Sequence, residues 1–461
     1  MLFQTWQFIV FFIIVYTLFL QVKGTRFQTP LLLAASYFFY GWWNPLYLLL
    51  IVYSTVLDYT VVQFMERSQR KRIWLAVSIC NNLFLLGFFK YGEFFAENLN
   101  AAFQATGVPL DVPMADVLLP VGISFYTFQS MSYTIDFYRG EIRRERSFLR
   151  FAAFVSLFPQ LVAGPIERAR TFLPQFAREA RITWTNISDG LTLFLIGFFK
   201  KVAIADYLAM HVDPVYAYPD EHSGSALLLA TFFFGWQIYF DFSGYTDMAR
   251  GIARMMGFNL MLNFNRPYLA NSLGDFWGRW HISLSSWFKD YVYIPLGGNR
   301  RGTVHMYMNM FLVMVISGLW HGAAWTFVIW GAMHAIGRIV TRPMEQTAFY
   351  REQVPNIVKQ AWVFAFVTVT WIFFRAESLG DAWLILGRIF SPSLFTASEL
   401  PHLAFFFCMV IWIYQYLDET RARFALQPSF VRIGAATCMI VYVLVFLISG
   451  TPEQAFIYFQ F

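Results

Sequence analysis

Long apolar runs recur along the chain, with few charged residues inside them. Most have the length that crosses a bilayer as a helix, roughly 17 to 25 residues, and polar loops separate them. They cover residues 6–22, 31–40 (a shorter run), 45–64, 73–95, 117–137, 191–207, 226–242, 308–339 (with an interruption), 361–374, 405–416 and 433–449. The pattern predicts an all-α polytopic membrane protein with about ten or eleven transmembrane helices.

The charges of the loops predict the orientation. The loops at residues 23–26, 66–72 and 139–150 are rich in Lys and Arg, whereas the loops between them contain neither. Because short cytoplasmic loops carry the basic residues, this alternation predicts that the N-terminus lies outside. Residues 6–22 follow no basic segment and precede no small-residue cleavage site, so we expect them to stay as a transmembrane helix.

Three further segments do not fit simple spans. Residues 151–165 are apolar but have basic residues on both sides, which favours a re-entrant or broken segment. Residues 250–305 are rich in Arg, Trp and Gly and favour amphipathic helices at the cytoplasmic interface. The loop 211–224 holds two histidines and three acids, but their spacing matches no tight ligand pattern, so we predict no metal site.

Composition supports a membrane protein and excludes other classes. Of the 461 residues, 58% are hydrophobic and only 13% are charged, whereas soluble proteins carry more charge. Cys80, Cys408 and Cys438 are isolated, so no disulfide framework or paired-cysteine metal site is available. The net charge of +6 resides in short loops beside apolar runs, which indicates contact with membrane lipids rather than with nucleic acid. We expect one membrane domain over residues 1–461, with its motifs at about 118–334.

One histidine stands in a stretch otherwise suited to a lipid bilayer. His321 lies in "SGLWHGAAWTFVIW", between Gly318 and Gly322. An ionised imidazole is strongly disfavoured there, so the neutral form dominates, and a general base must be neutral. A histidine that only packs and bonds a neighbouring helix is the alternative. Because ionisable residues inside membranes usually serve function, the position favours a functional role.

Other polar residues carry weaker signals. His334 lies thirteen residues beyond His321, about 220° around a continuous helix, so we expect it to face away and to form no metal pair. His281, in "GRWHISLSSWF", is either functional or simply interfacial. A polar group at the end of a span either lines a cavity or caps the helix, and capping is favoured. This group is Asp241, Ser243, Tyr245 and Asp247.

Several long motifs occur in a specific order. They are "LLPVGISFYTFQSMSYTIDFYRG", "FPQLVAGPI", "YFDFSGYTDMARGIARMMGF", "NFNRPYLANSLGDFWGRWHISLSSWFKDYVYIPLGGNRRG" and "GLWHGAAWTFVIWGAMH". Together they resemble the membrane-bound O-acyltransferase family, in its bacterial polysaccharide-acetylating branch. The resemblance implies a ring of helices around a thinned centre with a tunnel. It assigns the catalytic histidine to His321 and a second catalytic position to His281.

The resemblance also implies an activity. An acetyl group would pass from a cytoplasmic thioester, acetyl-CoA or another acyl donor, across the bacterial inner membrane to an exported, alginate-like polysaccharide. A periplasmic acetyltransferase partner would complete the transfer, and no cofactor would be bound permanently. His321 would act as the base, and His281 would orient the donor or hydrogen-bond the oxyanion. Further candidates are Trp280, Asp290 and Trp320 for shaping the tunnel, and Asn299, Arg300 and Arg301 for the donor phosphates.

Two alternatives remain open. Within the same family, peptidoglycan O-acetylation or teichoic-acid D-alanylation would use the same fold, and the donor would distinguish them. Outside it, a transporter could use the histidine to relay protons. Transporters often carry inverted repeats with broken helices in both halves, and the chain shows no evident repeat.

Overall fold

The computed structural model describes residues 1–113, 119–162, 164–398 and 400–419. Within these ranges the chain is helical and contains no β-strand. The chain packs into two compact units, residues 1–194 with 248–261 and residues 195–247 with 262–461. The predicted span at 433–449 lies outside the described residues.

The first unit is built mainly from nine helices, the last of which continues into the second unit. They are α1 (Trp6–Val22), α2 (Gln28–Gly41), α3 (Pro45–Arg67), α4 (Lys71–Thr106), α5 (Ile123–Arg139), α6 (Phe148–Ser156), α7 (Phe158–Leu161), α8 (Ala169–Phe172) and α9 (Trp184–Phe198).

The second unit holds the remaining helices, although the end of the second of them belongs to the first unit. They are α10 (Asp206–Ala217), α11 (Gly224–Met255), α12 (Leu273–Arg279), α13 (Ile282–Phe288), α14 (Thr303–His321), α15 (Trp325–Glu345), α16 (Asn356–Arg375), α17 (Leu379–Ile389) and α18 (His402–Glu419). In the part of the chain that the structure describes, π-helical turns occur at Phe199–Ala205, Lys289–Tyr293 and Phe349–Gln353.

Five of these helices, α3, α4, α11, α14 and α16, are long and apolar enough to cross a membrane. Two shorter apolar helices, Trp6–Val22 and His402–Leu417, add to them. The predicted all-α polytopic class is therefore confirmed. The span predicted from residue 117 begins as helix only at Ile123, because Gly122 holds a left-handed conformation at φ 76°. Residues 151–165 break at Leu157 between α6 and α7, as the broken-segment interpretation predicts.

Local sequence explains where several helices begin and end. The Asn44 side chain accepts a hydrogen bond from the Leu46 backbone at 2.9 Å, and Pro45 occupies the first turn of α3. Gly107 and Gly140 end α4 and α5 with φ of 71° and 76°. Glycine tolerates this left-handed conformation, so both helices stop at the residue that permits it.

A fully buried carboxyl group joins α3, α4 and α5 in the first unit. Asp58 accepts hydrogen bonds from the Ser78 hydroxyl at 2.6 Å and the Asn82 amide at 2.9 Å. The Ser130 hydroxyl of α5 donates to the other side of the carboxyl group. We call these four residues the Asp58 cluster. A buried polar group is costly unless it is hydrogen-bonded, and here three side chains from two other helices meet that need.

The polar residues predicted to cap a helix have a different role. Asp241 and Asp247 lie inside α11, so the capping interpretation is wrong. Lys201 contacts Asp206 at 2.7 Å and Asp241 at 2.9 Å, while Lys200 contacts Asp247 at 2.7 Å. Buried charges need partners of opposite sign, and the π-helical turn at Phe199–Ala205 supplies both lysines to α11. The apolar run ends at residue 242, but the helix continues to Met255, which is why capping was the wrong expectation.

Candidate active site

His321 is the last residue of α14, and a short non-helical segment separates it from α15, which begins at Trp325. Gly318 faces the backbone of Phe327, and Gly331 faces that of Met314. A Cβ atom at either glycine would overlap the facing carbonyl oxygen, so the two glycines let α14 and α15 pack closely. The sequence therefore places His321 at a helix end held firmly by its neighbour.

Aromatic rings surround His321, which is only 2% exposed. Ring centroids lie 5.0 Å away at Trp320, 5.2 Å at Trp330 and 5.3 Å at Phe374. Such a shell leaves little room for water beside the imidazole. The site therefore provides a water-poor environment around a side chain that can act as a base.

His281 comes from a different part of the chain, the junction of α12 and α13. Its ring centroid lies 6.4 Å from that of His321 and 5.9 Å from that of Trp320. The residue is fully buried, and Phe242 of α11 packs edge-on at 4.7 Å. His281 lies outside the candidate spans, and burial lowers the pKa of its imidazole to about 3. It is therefore neutral at pH 7.

The backbone of His281 is unusual. Its φ of 41° is left-handed, a conformation that non-glycine residues adopt rarely and often at functional sites. Two backbone hydrogen bonds hold the segment, from Ile282 to the Asn263 carbonyl at 2.9 Å and from Asn265 to the Arg279 carbonyl at 2.9 Å. The position is thus fixed by the segment of chain that precedes α12.

Asn263 also contacts the histidine through its side chain. Its Oδ1 lies 3.1 Å from His281 Nδ1, 3.2 Å from the Ser283 backbone nitrogen and 2.9 Å from the Ser283 hydroxyl. Asn263 is buried and was not among the residues predicted from the sequence. The one sequence feature that could have indicated a role for Asn263 is its position at the start of the long motif that contains His281. We call His281, His321, Trp320, Trp330 and Phe374 the histidine cluster.

The other predicted site residues divide into two groups. Trp320 belongs to the histidine cluster, and Trp280 is buried beside it, with its ring 5.0 Å from Phe264 and 5.1 Å from Trp371. Asp290 is half-buried in the π-helical turn after α13. The structure therefore places the two tryptophans in the buried core that holds the histidines.

Asn299, Arg300 and Arg301 lie on an exposed turn before α14. His321 ends the same 19-residue helix, so the turn and the histidine are separated by about 27 Å along the axis. These three residues are not brought to the histidine cluster. Asn299, Arg300 and Arg301 could contact only the end of a long ligand that lies furthest from His321.

The angle predicted between His334 and His321 does not apply, because the helix is not continuous between them. The Nε2 atom of His334 lies 3.0 Å from the Thr370 hydroxyl, which itself donates to the Val367 carbonyl at 2.7 Å. The His334 ring packs 4.8 Å from Trp330. Within the described ranges, no group of three His, Cys, Asp or Glu residues is arranged to hold a metal ion.

Comparisons with known proteins agree on one family. The family model of the membrane-bound O-acyltransferases matches residues 111–379. A probable alginate O-acetylase of Azotobacter vinelandii is 44% identical over 82% of this chain and 76% of that protein. A peptidoglycan O-acetyltransferase of Helicobacter pylori is 40% identical over 79% and 74%. A teichoic acid D-alanyltransferase of Bacillus subtilis is 29% identical over 49% and 59%.

Proposed function

Because the chain belongs to the membrane-bound O-acyltransferase family, we propose that it moves an acetyl group from a cytoplasmic thioester to an exported polysaccharide. The probable alginate O-acetylase of Azotobacter vinelandii supports an alginate-like acceptor. The observation that carries the proposal is the pairing of His321 and His281, 6.4 Å apart, within an aromatic core.

In the proposed reaction His321 takes the proton of an acceptor hydroxyl while its oxygen attacks the thioester carbonyl carbon. A C–O bond forms, the tetrahedral intermediate collapses, and the C–S bond breaks. The imidazolium then returns its proton to the departing thiolate, so the histidine is restored. The aromatic shell keeps water away from the thioester and suppresses its hydrolysis.

His281 has two candidate roles in this reaction. It orients the substrate, or it donates a hydrogen bond to the oxyanion of the intermediate. Trp280, Trp320 and Asp290 are proposed to shape the path of the acyl group. Because Asn299, Arg300 and Arg301 form an exposed basic turn about one helix length from His321, they suit the phosphates of acetyl-CoA or a related donor.

The proposal extends to location and partners. Basic loops favour a cytoplasmic donor side, with the N-terminus in the periplasm and the protein in the inner membrane. A periplasmic acetyltransferase would then complete the transfer to sugar. Peptidoglycan O-acetylation is the second candidate, because the Helicobacter pylori relative is almost as similar as the alginate relative. Teichoic-acid D-alanylation has weaker support, since that relative matches only half the chain.

The experiment compares His321→Ala with wild type in membranes that contain equal amounts of protein. Labelled acetyl-CoA and an acetyl-charged carrier protein are the donors, the periplasmic acetyltransferase partner is present, and label in that partner, in alginate and in peptidoglycan is measured. We expect His321→Ala to lower transfer by about 100-fold or more, because general base catalysis contributes that much. His305→Ala is the matched control, since His305 is an exposed histidine on the same helix. Unchanged transfer by His321→Ala would overturn the proposal.

A further inference from the structure

The contacts of Asn263 decide between the two roles of His281. We propose that Asn263 fixes His281 as the tautomer that carries its proton on Nδ1, so that Nε2 meets the substrate as a hydrogen-bond acceptor. This inference rests on the proposed function, because it specifies how one residue of that site meets the substrate. Asn263 is a positioning residue here, and it acts through His281.

The orientation of the Asn263 amide follows from its neighbours. The backbone nitrogen of Ser283 can only donate, and it lies 3.2 Å from the Asn263 atom assigned as Oδ1. An amide NH₂ at that place would face an N–H group directly. The Ser283 hydroxyl lies 2.9 Å from the same atom and donates to it as well. The oxygen of Asn263 is therefore the atom that points at the His281 ring.

The tautomer of His281 follows from that orientation. Nδ1 lies 3.1 Å from the Asn263 oxygen. If Nδ1 lacked a proton, two lone pairs would face each other at this distance. The Ser283 hydroxyl offers Nδ1 little as a donor, because it is 3.5 Å away and lies closer to Asn263. Nδ1 therefore carries the proton, and the lone pair of the neutral ring is on Nε2.

Backbone contacts stabilise the interaction between the Asn263 and His281 side chains. The Asn263 carbonyl accepts from Ile282, the residue next to His281, at 2.9 Å. Asn263 and His281 are both fully buried, so water does not compete for the side-chain contact. His281 has its left-handed backbone directly before α13, and its ring contacts Asn263 at this point. Side chain and backbone thus act together to hold one ring orientation.

The consequence concerns the chemistry of the substrate. A neutral His281 of this tautomer has no proton on Nε2, so it cannot donate to an oxyanion through that atom. It accepts instead, from the hydroxyl group that is to be acylated or from an amide N–H of the thioester donor. His281 therefore orients a substrate donor group, and the oxyanion is stabilised by another group.

The direct test measures the tautomer without any substrate. The full-length protein is labelled with ¹⁵N,¹³C-histidine and reconstituted in lipid, and solid-state NMR resolves the imidazole signals of its seven histidines. His281→Gln identifies the signals of His281 by their loss. We expect wild-type His281 to show a protonated Nδ1 and an unprotonated Nε2. A protonated Nε2 in the neutral wild-type ring would overturn the inference.

Two variants separate Asn263 from Ser283 as the source of the effect. Asn263→Ala removes the acceptor, so we expect a mixture of the two tautomers. Ser283→Ala removes only the hydroxyl, and we expect the wild-type tautomer to persist. If Ser283→Ala shifts the tautomer and Asn263→Ala does not, the hydroxyl sets the proton position and the proposal is wrong. The wild-type and Ser283→Ala spectra decide the matter even if Asn263→Ala fails to fold.

A kinetic test measures how the contact between Asn263 and His281 affects the rate of acetyl transfer. Asn263→Ala is expected to lower kcat about tenfold, the effect of losing one hydrogen bond in the transition state. Asn263→Asp keeps an oxygen acceptor and restores kcat near neutral pH. Its negative charge favours the protonated ring, so the acid limb of its pH–rate profile moves to higher pH. Asn265→Ala is the matched control, because Asn265 is exposed and contacts Arg279 through its backbone nitrogen.

The two proposals fail in different ways. If His321→Ala transfers acetyl groups normally, the proposed function fails whatever the NMR spectrum shows. If His321→Ala is inactive but Asn263→Asp has the wild-type pH profile and Asn263→Ala the wild-type kcat, the proposed function survives and the role of Asn263 fails.

Discussion

The Asp58 cluster and the histidine cluster are both buried, yet the side chains around the ionisable group differ between them. Asp58 is surrounded by donors, since Ser78, Asn82 and Ser130 all bond its carboxyl oxygens. His321 is surrounded by the faces and edges of aromatic rings. The hydrogen bonds of Asp58 join α3, α4 and α5, whereas His321 is the residue that we propose takes up a proton during transfer.

The comparison shows that burial alone does not identify a reactive group. Both residues are ionisable and lie in candidate membrane spans, a position that generally favours function. What separates them is the chemistry of their neighbours. We therefore expect changes in the histidine cluster to alter catalysis and changes in the Asp58 cluster to alter stability. Three further predictions test that division, from the largest effect to the smallest.

His281→Ala should lower kcat about 10-fold to 100-fold, because the substrate loses a group that orients it in the transition state. The free energy of unfolding in detergent should fall less than activity does. Steady-state acetyl transfer and a thermal unfolding curve on the same preparation check both. Full turnover with unaltered donor affinity would remove His281 from the mechanism and leave His321 as the only histidine of the site.

Asp58→Asn should lower the free energy of unfolding by about 1–3 kcal/mol. The amide replaces one acceptor oxygen with a donor, which then faces the hydroxyl groups of Ser78 or Ser130. The rate of acetyl transfer per folded molecule should not change. Thermal unfolding with a parallel activity assay measures this, and Leu49→Ala, an exposed position of the same helix, is the matched control. Unchanged stability would mean that the cluster does not hold α3, α4 and α5 together.

Glu419→Gln tests the ion pairs at the end of α18, and its effect on stability should be the smallest of the three. Glu419 contacts Arg266 at 2.8 Å and Arg279 at 3.0 Å. Burial alone would raise the pKa of Glu419, but the two arginines outweigh it and lower the pKa below its usual 4.5. The stabilisation is therefore present at neutral pH and is lost as the pH falls through the lowered value.

Because the pair is partly exposed, its loss should cost no more than about 1 kcal/mol. Hydrogen–deuterium exchange of the peptide that covers α18 should rise modestly in Glu419→Gln at pH 7. Wild type should approach the variant when the pH falls below 4.5. Equal exchange in both proteins at pH 7 would show that these ion pairs do not hold α18.

The sequence predicted the helical class, and it singled out His321 as a candidate, but it did not predict the contacts of the candidate site. His321 stood out because a single imidazole in an apolar run is costly. Asn263 did not, since its importance comes from a contact with His281, eighteen residues away. Asp58, like His321, is a lone ionisable residue in a predicted span, yet it was not among the residues predicted from the sequence. Its donors come from α4 and α5, so only the fold reveals that it is satisfied.

Interruptions of helices were a second feature that could not be predicted from the sequence. The angle calculated between His321 and His334 assumed a continuous helix, but the chain leaves the helix at Gly322. Glycine permits such a break without requiring it, so the sequence alone does not fix the angle. The sequence likewise did not address the distance from His321 to the turn at 299–301, and the roles of Trp280 and Trp320 in shaping a tunnel stay predictions.

The most direct test compares His321→Ala and Asp58→Asn side by side, in one lipid preparation, for both acetyl transfer and thermal unfolding. We expect His321→Ala to lose transfer by about 100-fold or more per folded molecule, although the cavity that it leaves among the aromatic rings also lowers the unfolding midpoint. We expect Asp58→Asn to unfold at lower temperature but to transfer at the wild-type rate per folded molecule. Normal transfer by His321→Ala, or loss of transfer by a normally stable Asp58→Asn, would contradict the assignment of catalysis to the histidine cluster.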